Sequence, residues 1–74
     1  MAKRPPITNR VRELREAHGQ MSQAALAEII GVTRQTVIAI EQGRYSPSLE
    51  SAFRIARAFG VGVEDAFGWD DQAA

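Results

Sequence analysis

The 74-residue sequence contains no cysteine, which removes disulfides, thiolate metal sites and cysteine nucleophiles together. It has a single histidine, His18, so a His/Cys zinc site cannot be assembled from it. A Ser-His-Asp hydrolase would have to be built around a residue in the turn-like stretch AHGQ. His18 reads instead as a solvated histidine at a helix end, where positive charge suits the negative terminus of the dipole. There is no phosphate-cradling glycine loop and no cluster of metal ligands. The chain is therefore expected to be no enzyme, to need no cofactor or metal, and to take no small-molecule substrate. No apolar run approaches the ~20 residues of a membrane span, and MAKRPPITNR lacks the hydrophobic region of a signal peptide. A cytoplasmic protein with no membrane contact is the expectation.

Net charge is absent as well, with nine Lys/Arg against nine Asp/Glu. Its distribution is uneven, however. Residues 1–44 hold seven basic and four acidic side chains, whereas residues 45–74 hold two and five. The molecule is thus electrostatically polar from end to end, and a basic half suits an anionic partner. An apolar content of 45% belongs to folded globular chains, and the length allows one small domain that buries only about 60% of its unfolded surface. Marginal stability of that kind favours self-association.

The apolar residues recur with a period near 3.6, and no stretch alternates over strand length. The fold class expected is all-α, a five-helix arrangement spanning residues 9–69, preceded by a basic flexible arm (1–8) and followed by a tail (70–74). Pro5 and Pro6 bar a helix before Ile7. The first helix runs from Asn9 to His18, with Val11, Leu14 and Ala17 on one face and Gly19 as its stop. Ser22 caps a second, Gln23 to Ile30, that presents Leu26, Ala27 and Ile30. Gly31 to Thr33 connects it to a third, capped by Thr33, with Val37 and Ile40 inward and Gly43 closing it. After the loop RYSPS, a fourth helix from Leu49 to Phe59 turns Leu49, Ala52, Phe53, Ala56 and Phe59 inward. VEDAF makes a short fifth helix whose Glu64 and Asp65 suit the positive dipole end, so that acid pair reads as capping rather than catalytic. Around Trp69 no pattern is long enough to establish a strand.

Two short helices joined by three residues must turn a sharp corner, the geometry of a helix-turn-helix. Its demands are a small residue where the helices cross (Ala27), a glycine in the turn (Gly31) and apolar residues tying the pair to the domain (Leu26, Ile30, Val32, Val37, Ile40). All are met. The run SQAALAEIIGVTRQTVIAIEQGRYSPS, followed by AFRIARAFGV and EDAF, resembles the Cro/phage-repressor (Xre-like) family of prokaryotic helix-turn-helix regulators. Its small single-domain members are the nearest match, and the ending EDAFGW is similar to the cytolysin-repressor type, a dimeric regulator. The likeness covers roughly residues 9 to 69. Three features depart from the family pattern, at four positions: Gln20 is an extra residue between helices one and two, Ala25 replaces a glutamate that would complete a capping box, and Ile29 and Ile38 stand where polar residues are usual.

Membership implies double-stranded DNA as partner, with the third helix in the major groove and its N-terminal residues against base edges. That explains a cation in the first turn of this helix, where the dipole alone disfavours it. Arg34 would fork onto guanine O6 and N7, and Gln35 would pair with adenine N6 and N7. Ile38 and Ala39 suit thymine methyls, although Ile38 equally suits packing against a neighbouring helix or a second copy. Phosphate contacts fall to Gln23, which matches a backbone-contacting glutamine of the family, and to Thr33, Thr36, Gln42, Arg44, Tyr45 and Arg10. The Lys3/Arg4 arm either extends that surface or simply solubilises the chain. Arg15 and Glu41 resemble a family ion pair linking helices one and three, which assigns Glu41 to structure.

A single short recognition helix reads few base pairs, so a homodimer on half-sites ~34 Å apart is expected. Val61, Val63, Phe67 and Trp69 are its candidate contact residues, the alternative being that Phe67 closes the core and Trp69 belongs to the tail. The function implied is a sequence-specific transcriptional regulator, a repressor on a palindromic operator. The competing reading is an antitoxin or other protein-interaction module, with a protein partner on an exposed apolar face that includes Ile29.

Overall fold

The structure, a computed structural model, describes residues 5–72; the Lys3/Arg4 part of the basic arm lies outside them. Seven elements follow in order: β1 (Ile7–Asn9), α1 (Val11–Ala17), α2 (Gln23–Ile30), α3 (Arg34–Glu41), α4 (Leu49–Ala58), α5 (Val63–Ala66) and β2 (Phe67–Trp69). The helices dominate. The two strands are an addition to the all-α expectation, pairing antiparallel with Ile7 opposite Trp69 and Asn9 opposite Phe67. Ile7 and Thr8, placed in the arm by the sequence, are therefore strand residues, and Asp70 N donates to Pro6 O at 2.7 Å to extend the pairing. Strands this short carry no readable alternation. At Gly68 a Cβ would lie 2.8 Å from Thr8 Oγ1, so a larger residue there would make the Thr8 side chain turn away.

Local capping sets the helix starts. The hydroxyls of Ser22, Thr33 and Ser48 accept from the backbone N–H groups of Ala25, Thr36 and Ser51 at 3.0, 3.2 and 3.1 Å, each satisfying a donor that the helix itself cannot. The first helix begins later than the sequence suggests because Asn9 acts outside it. Its Oδ1 accepts from Val11 N at 3.1 Å while its Nδ2 donates to Ile40 O at 2.8 Å. One side chain thereby starts α1 and binds it to the end of α3.

Helices α1 to α4 contribute to one core. Val11, Leu26, Ala27, Ile30, Val37, Ile40, Ile55 and Phe59 are its buried centre, with Leu14, Met21, Val32, Ala58, Val61 and Phe67 packed partly buried around it. Three inward assignments are corrected. Leu49 and Phe53 are exposed, at 72% and 50%, and Ala17 is exposed too. In α4 the buried stripe is Ala52, Ile55, Ala56 and Phe59, an i, i+3, i+4, i+7 set that leaves Leu49 and Phe53 on its flank.

Candidate nucleic-acid interface

The α2–α3 corner is formed by Gly31, whose φ of 76° lies in the left-handed region that glycine enters without a Cβ penalty. Gly31 N and Val32 N both donate to Ala27 O, at 2.9 and 3.0 Å, so the end of α2 is closed before Thr33 opens α3. Leu26, Ala27 and Ile30 of α2 and Val37 and Ile40 of α3 face the shared core. Their opposite sides face out. Arg34 and Gln35 are both exposed in the first turn of α3, at the positive end of its dipole. Ser22 caps α2 unaided, so the missing glutamate at Ala25 leaves its start intact.

Behind this face lies an ion pair between α1 and α3. Arg15 Nε donates to Glu41 Oε2 at 2.7 Å, Arg15 Nη2 donates to Glu41 Oε1 at 3.2 Å, and Arg15 Nη1 donates to Met21 O at 2.7 Å. This is a forked pair with a third bond to the α1–α2 connection. The side chains are only 12% and 6% exposed, so water screens them little. The hydrogen bond to Glu41 raises the Arg15 pKa above its ordinary value, against the opposing effect of burial. Gln23, the first residue of α2, joins the pair: its Nε2 donates to Glu41 Oε1 at 3.1 Å, and its Oε1 accepts from Arg34 Nη2 at 3.3 Å.

These groups border an open cleft whose walls also include Arg12, Glu16, Ser22, Ala24, Ile38 and Gln42. The structure brings together Gln23, Arg34, Ile38 and Gln42 from the sequence-based set. Thr33 and Thr36 share the start of α3, their hydroxyls 3.0 Å apart, and the exposed Arg44 and Tyr45 follow its end. Ala39 and Ile38 are half-buried. Arg10 stands elsewhere. Its backbone N–H donates to Ala66 O at 2.9 Å and its side chain pairs with Glu13 at 3.6 Å, so it borders α5 rather than the cleft. Arg12 is the cation that the sequence reading missed; it donates to Glu16 at 3.2 Å and lines the cleft. Its spacing of one turn from Arg15 was the available signal.

At the other end, Val61 and Phe67 pack partly buried against the core, Val63 is half-buried, and Trp69 is 65% exposed. His18 lies edge-on to Phe59, ring centroids 5.5 Å apart. Among the described residues, no helix is long and apolar enough to cross a membrane.

A sharp α2–α3 corner, an α3 start presenting Arg34 and Gln35, and an arginine-lined cleft against the α2 N-terminus define a helix-turn-helix DNA-binding domain. The helix-turn-helix family model matches residues 11–65, and the chain belongs to the Cro/phage-repressor (Xre-like) family of helix-turn-helix regulators. An uncharacterised HTH-type transcriptional regulator of Methanocaldococcus jannaschii is 49% identical over 65 residues, covering 88% of this chain and 97% of that protein. One from Bacillus subtilis is 50% identical over 66 residues, covering 89% and 98%. Among solved structures, the restriction-modification controller protein C.AhdI of Aeromonas hydrophila superposes with a TM-score of 0.68 at 34% identity, covering 74% of this chain and 82% of that one.

Proposed function

We propose that this chain is a cytoplasmic, sequence-specific transcriptional repressor that binds a palindromic operator as a homodimer, with α3 in the major groove. The observation that carries the reading is the placement of exposed Arg34 and Gln35 at the start of α3, beside Gln23 and the cleft cations. In this arrangement Arg34 takes guanine and Gln35 adenine, Ile38 and Ala39 meet thymine methyls, and Gln23, Thr33, Thr36, Gln42, Arg44 and Tyr45 hold phosphates. Arg12 joins them, and Arg10 is reached only by DNA that bends toward α5.

An eight-residue helix is about 12 Å long, enough for a few base pairs, so useful specificity needs two copies. The body measures 35 × 23 × 21 Å, a size that lets two copies side by side set their α3 helices about one helical turn apart. Of the expected contact residues, Trp69 is the one left largely exposed; it serves the dimer with the margins of Val61, Val63 and Phe67. Leu49 and Phe53 favour a second reading, in which a protein partner covers exposed apolar side chains on α4.

Selection of binding sites from a randomised DNA pool tests the function. Enrichment of a two-fold symmetric sequence is expected, together with dimer sedimentation. Failure to enrich any sequence at low salt, with sedimentation as a monomer at tens of micromolar, would favour the protein-interaction reading.

A further inference from the structure

The half-buried amide of Asn9 has only one orientation compatible with its neighbours. The Val11 N–H only donates and the Ile40 carbonyl only accepts, so Oδ1 must face the start of α1 and Nδ2 the end of α3, as the 3.1 and 2.8 Å contacts have it. That carbonyl is one of the last four of α3, which the helix itself cannot satisfy. It also accepts from Gly43 N at 3.0 Å, and Asn9 takes its second lone pair. Asn9 stands opposite Phe67 in the strand pair, and the next residue, Arg10, donates its backbone N–H to Ala66 O at 2.9 Å. Residues 7–10 are thereby bonded to the segment that carries Val63, Phe67 and Trp69. Among the described residues, the Asn9–Ile40 bond is the one side-chain hydrogen bond between the strand pair and α3. The other link is apolar, Phe67 packing on the core that holds Val37 and Ile40. Such packing resists separation without setting a direction, whereas a short hydrogen bond sets one.

Resting on the dimeric DNA-binding reading above, we propose that Asn9 is a positioning residue that holds the end of α3 in fixed register with the α5–β2 contact surface, and so sets the half-site spacing that the dimer accepts. Two copies joined through Trp69 and its neighbours present two α3 helices, whose separation is inherited from the path between contact and helix within each copy. That path is short. Trp69 stands opposite Ile7 on the strand that carries Asn9, and Asn9 reaches Ile40 directly. One inserted base pair moves a half-site by about 3.4 Å along the duplex and turns it by about 34°. A rigid link makes that displacement costly, and a slack one absorbs part of it. Asn9 lies at the far end of α3 from Arg34 and Gln35, so its effect falls on spacing and leaves the reading within each half-site intact.

Asn9→Asp keeps the oxygen that accepts from Val11 N–H and has no donor for the Ile40 carbonyl. Asn9→Ser, a second variant, keeps a shorter capping oxygen and loses the amide. Both are first shown folded by thermal melting, beside Ser48→Ala, which removes the α4 cap and leaves this link untouched, as the control for lost stability alone. Each protein is titrated with the selected two-fold operator and with versions that have one base pair added or removed at the centre. The wild type discriminates against the altered spacings. In both Asn9 variants that discrimination falls by about two- to tenfold, the range that one hydrogen bond carries, with base preferences inside each half-site unchanged, while Ser48→Ala keeps the wild-type profile. An equal loss of affinity at every spacing, or a profile that Ser48→Ala shifts as much, overturns the proposal and leaves Asn9 a helix cap alone. If the wild type enriches no two-fold sequence, or sediments as a monomer, the dimeric reading itself fails and takes this inference with it.

Discussion

Replacing Glu41 by glutamine keeps the shape of the side chain and removes its charge. Arg15 remains behind, 12% exposed, with one hydrogen bond to Met21 O and a neutral amide where a carboxylate accepted two. Breaking a buried pair by removing one partner costs about 3–5 kcal/mol because the other charge is left uncompensated. The surviving amide oxygen lowers this, so about 2–4 kcal/mol is expected. A chain of this length has a total stability of roughly 4–11 kcal/mol, and each kcal/mol shifts the melting temperature by about 4–8 °C in a domain of this size. Glu41→Gln should therefore lower Tm by about 10–30 °C. The assay is thermal and urea unfolding followed by far-UV circular dichroism. Arg15→Met combined with Glu41→Leu should recover most of the loss, since an apolar pair of similar volume leaves no orphan charge. The raised pKa of Arg15 means its share of this stability is fully present below the ordinary arginine range and is lost only as pH rises through the folded value, in strong alkali. The exposed Arg12–Glu16 pair, by contrast, should contribute little and be screened by salt. A Glu41→Gln protein within about 0.5 kcal/mol of the wild type would refute the reasoning.

Leu26→Ala removes a side chain with no exposure from the centre of the core and should cost about 3–5 kcal/mol by urea denaturation, enough to leave much of the population unfolded at 37 °C. Gln20 holds a φ of 54° without being glycine, so Gln20→Gly relieves strain and should stabilise by up to about 1 kcal/mol in the same assay, where destabilisation would contradict the backbone assignment. Arg34→Ala should weaken binding to the selected operator and erase preference at one base pair per half-site, by about 1–3 kcal/mol in competition titrations, with no loss in Tm. Trp69→Ala should shift sedimentation toward monomer; unchanged dimer would move the contact to Leu49 and Phe53 on α4.

The α2–α3 unit was legible because each of its boundaries is marked by a local chemical signal: Ser22 and Thr33 as caps and Gly31 as the turn. The face of α4 was not, because two apolar stripes differing by about one eighth of a turn both fit its sequence. Only packing against the other helices selects Ile55 over Phe53 for the interior. The β1–β2 pair joins residues some sixty positions apart through three-residue strands, a contact that no local pattern encodes. Arg15 and Glu41 were paired by family resemblance alone, since periodicity says nothing across 26 residues. Gln23 was expected as a phosphate contact. Its bonds to Glu41 and Arg34 emerge only once α1, α2 and α3 converge on one cleft.

The central claim is that DNA lies against the start of α3 and the N-terminus of α2. A 15N NMR titration of the protein with its selected duplex tests this residue by residue. The account predicts the largest amide shifts and broadening at residues 22–24 and 33–39, with Leu49, Phe53 and the α5 helix little affected. Perturbation centred on α4 and α5, with Arg34 and Gln35 unmoved, would contradict it.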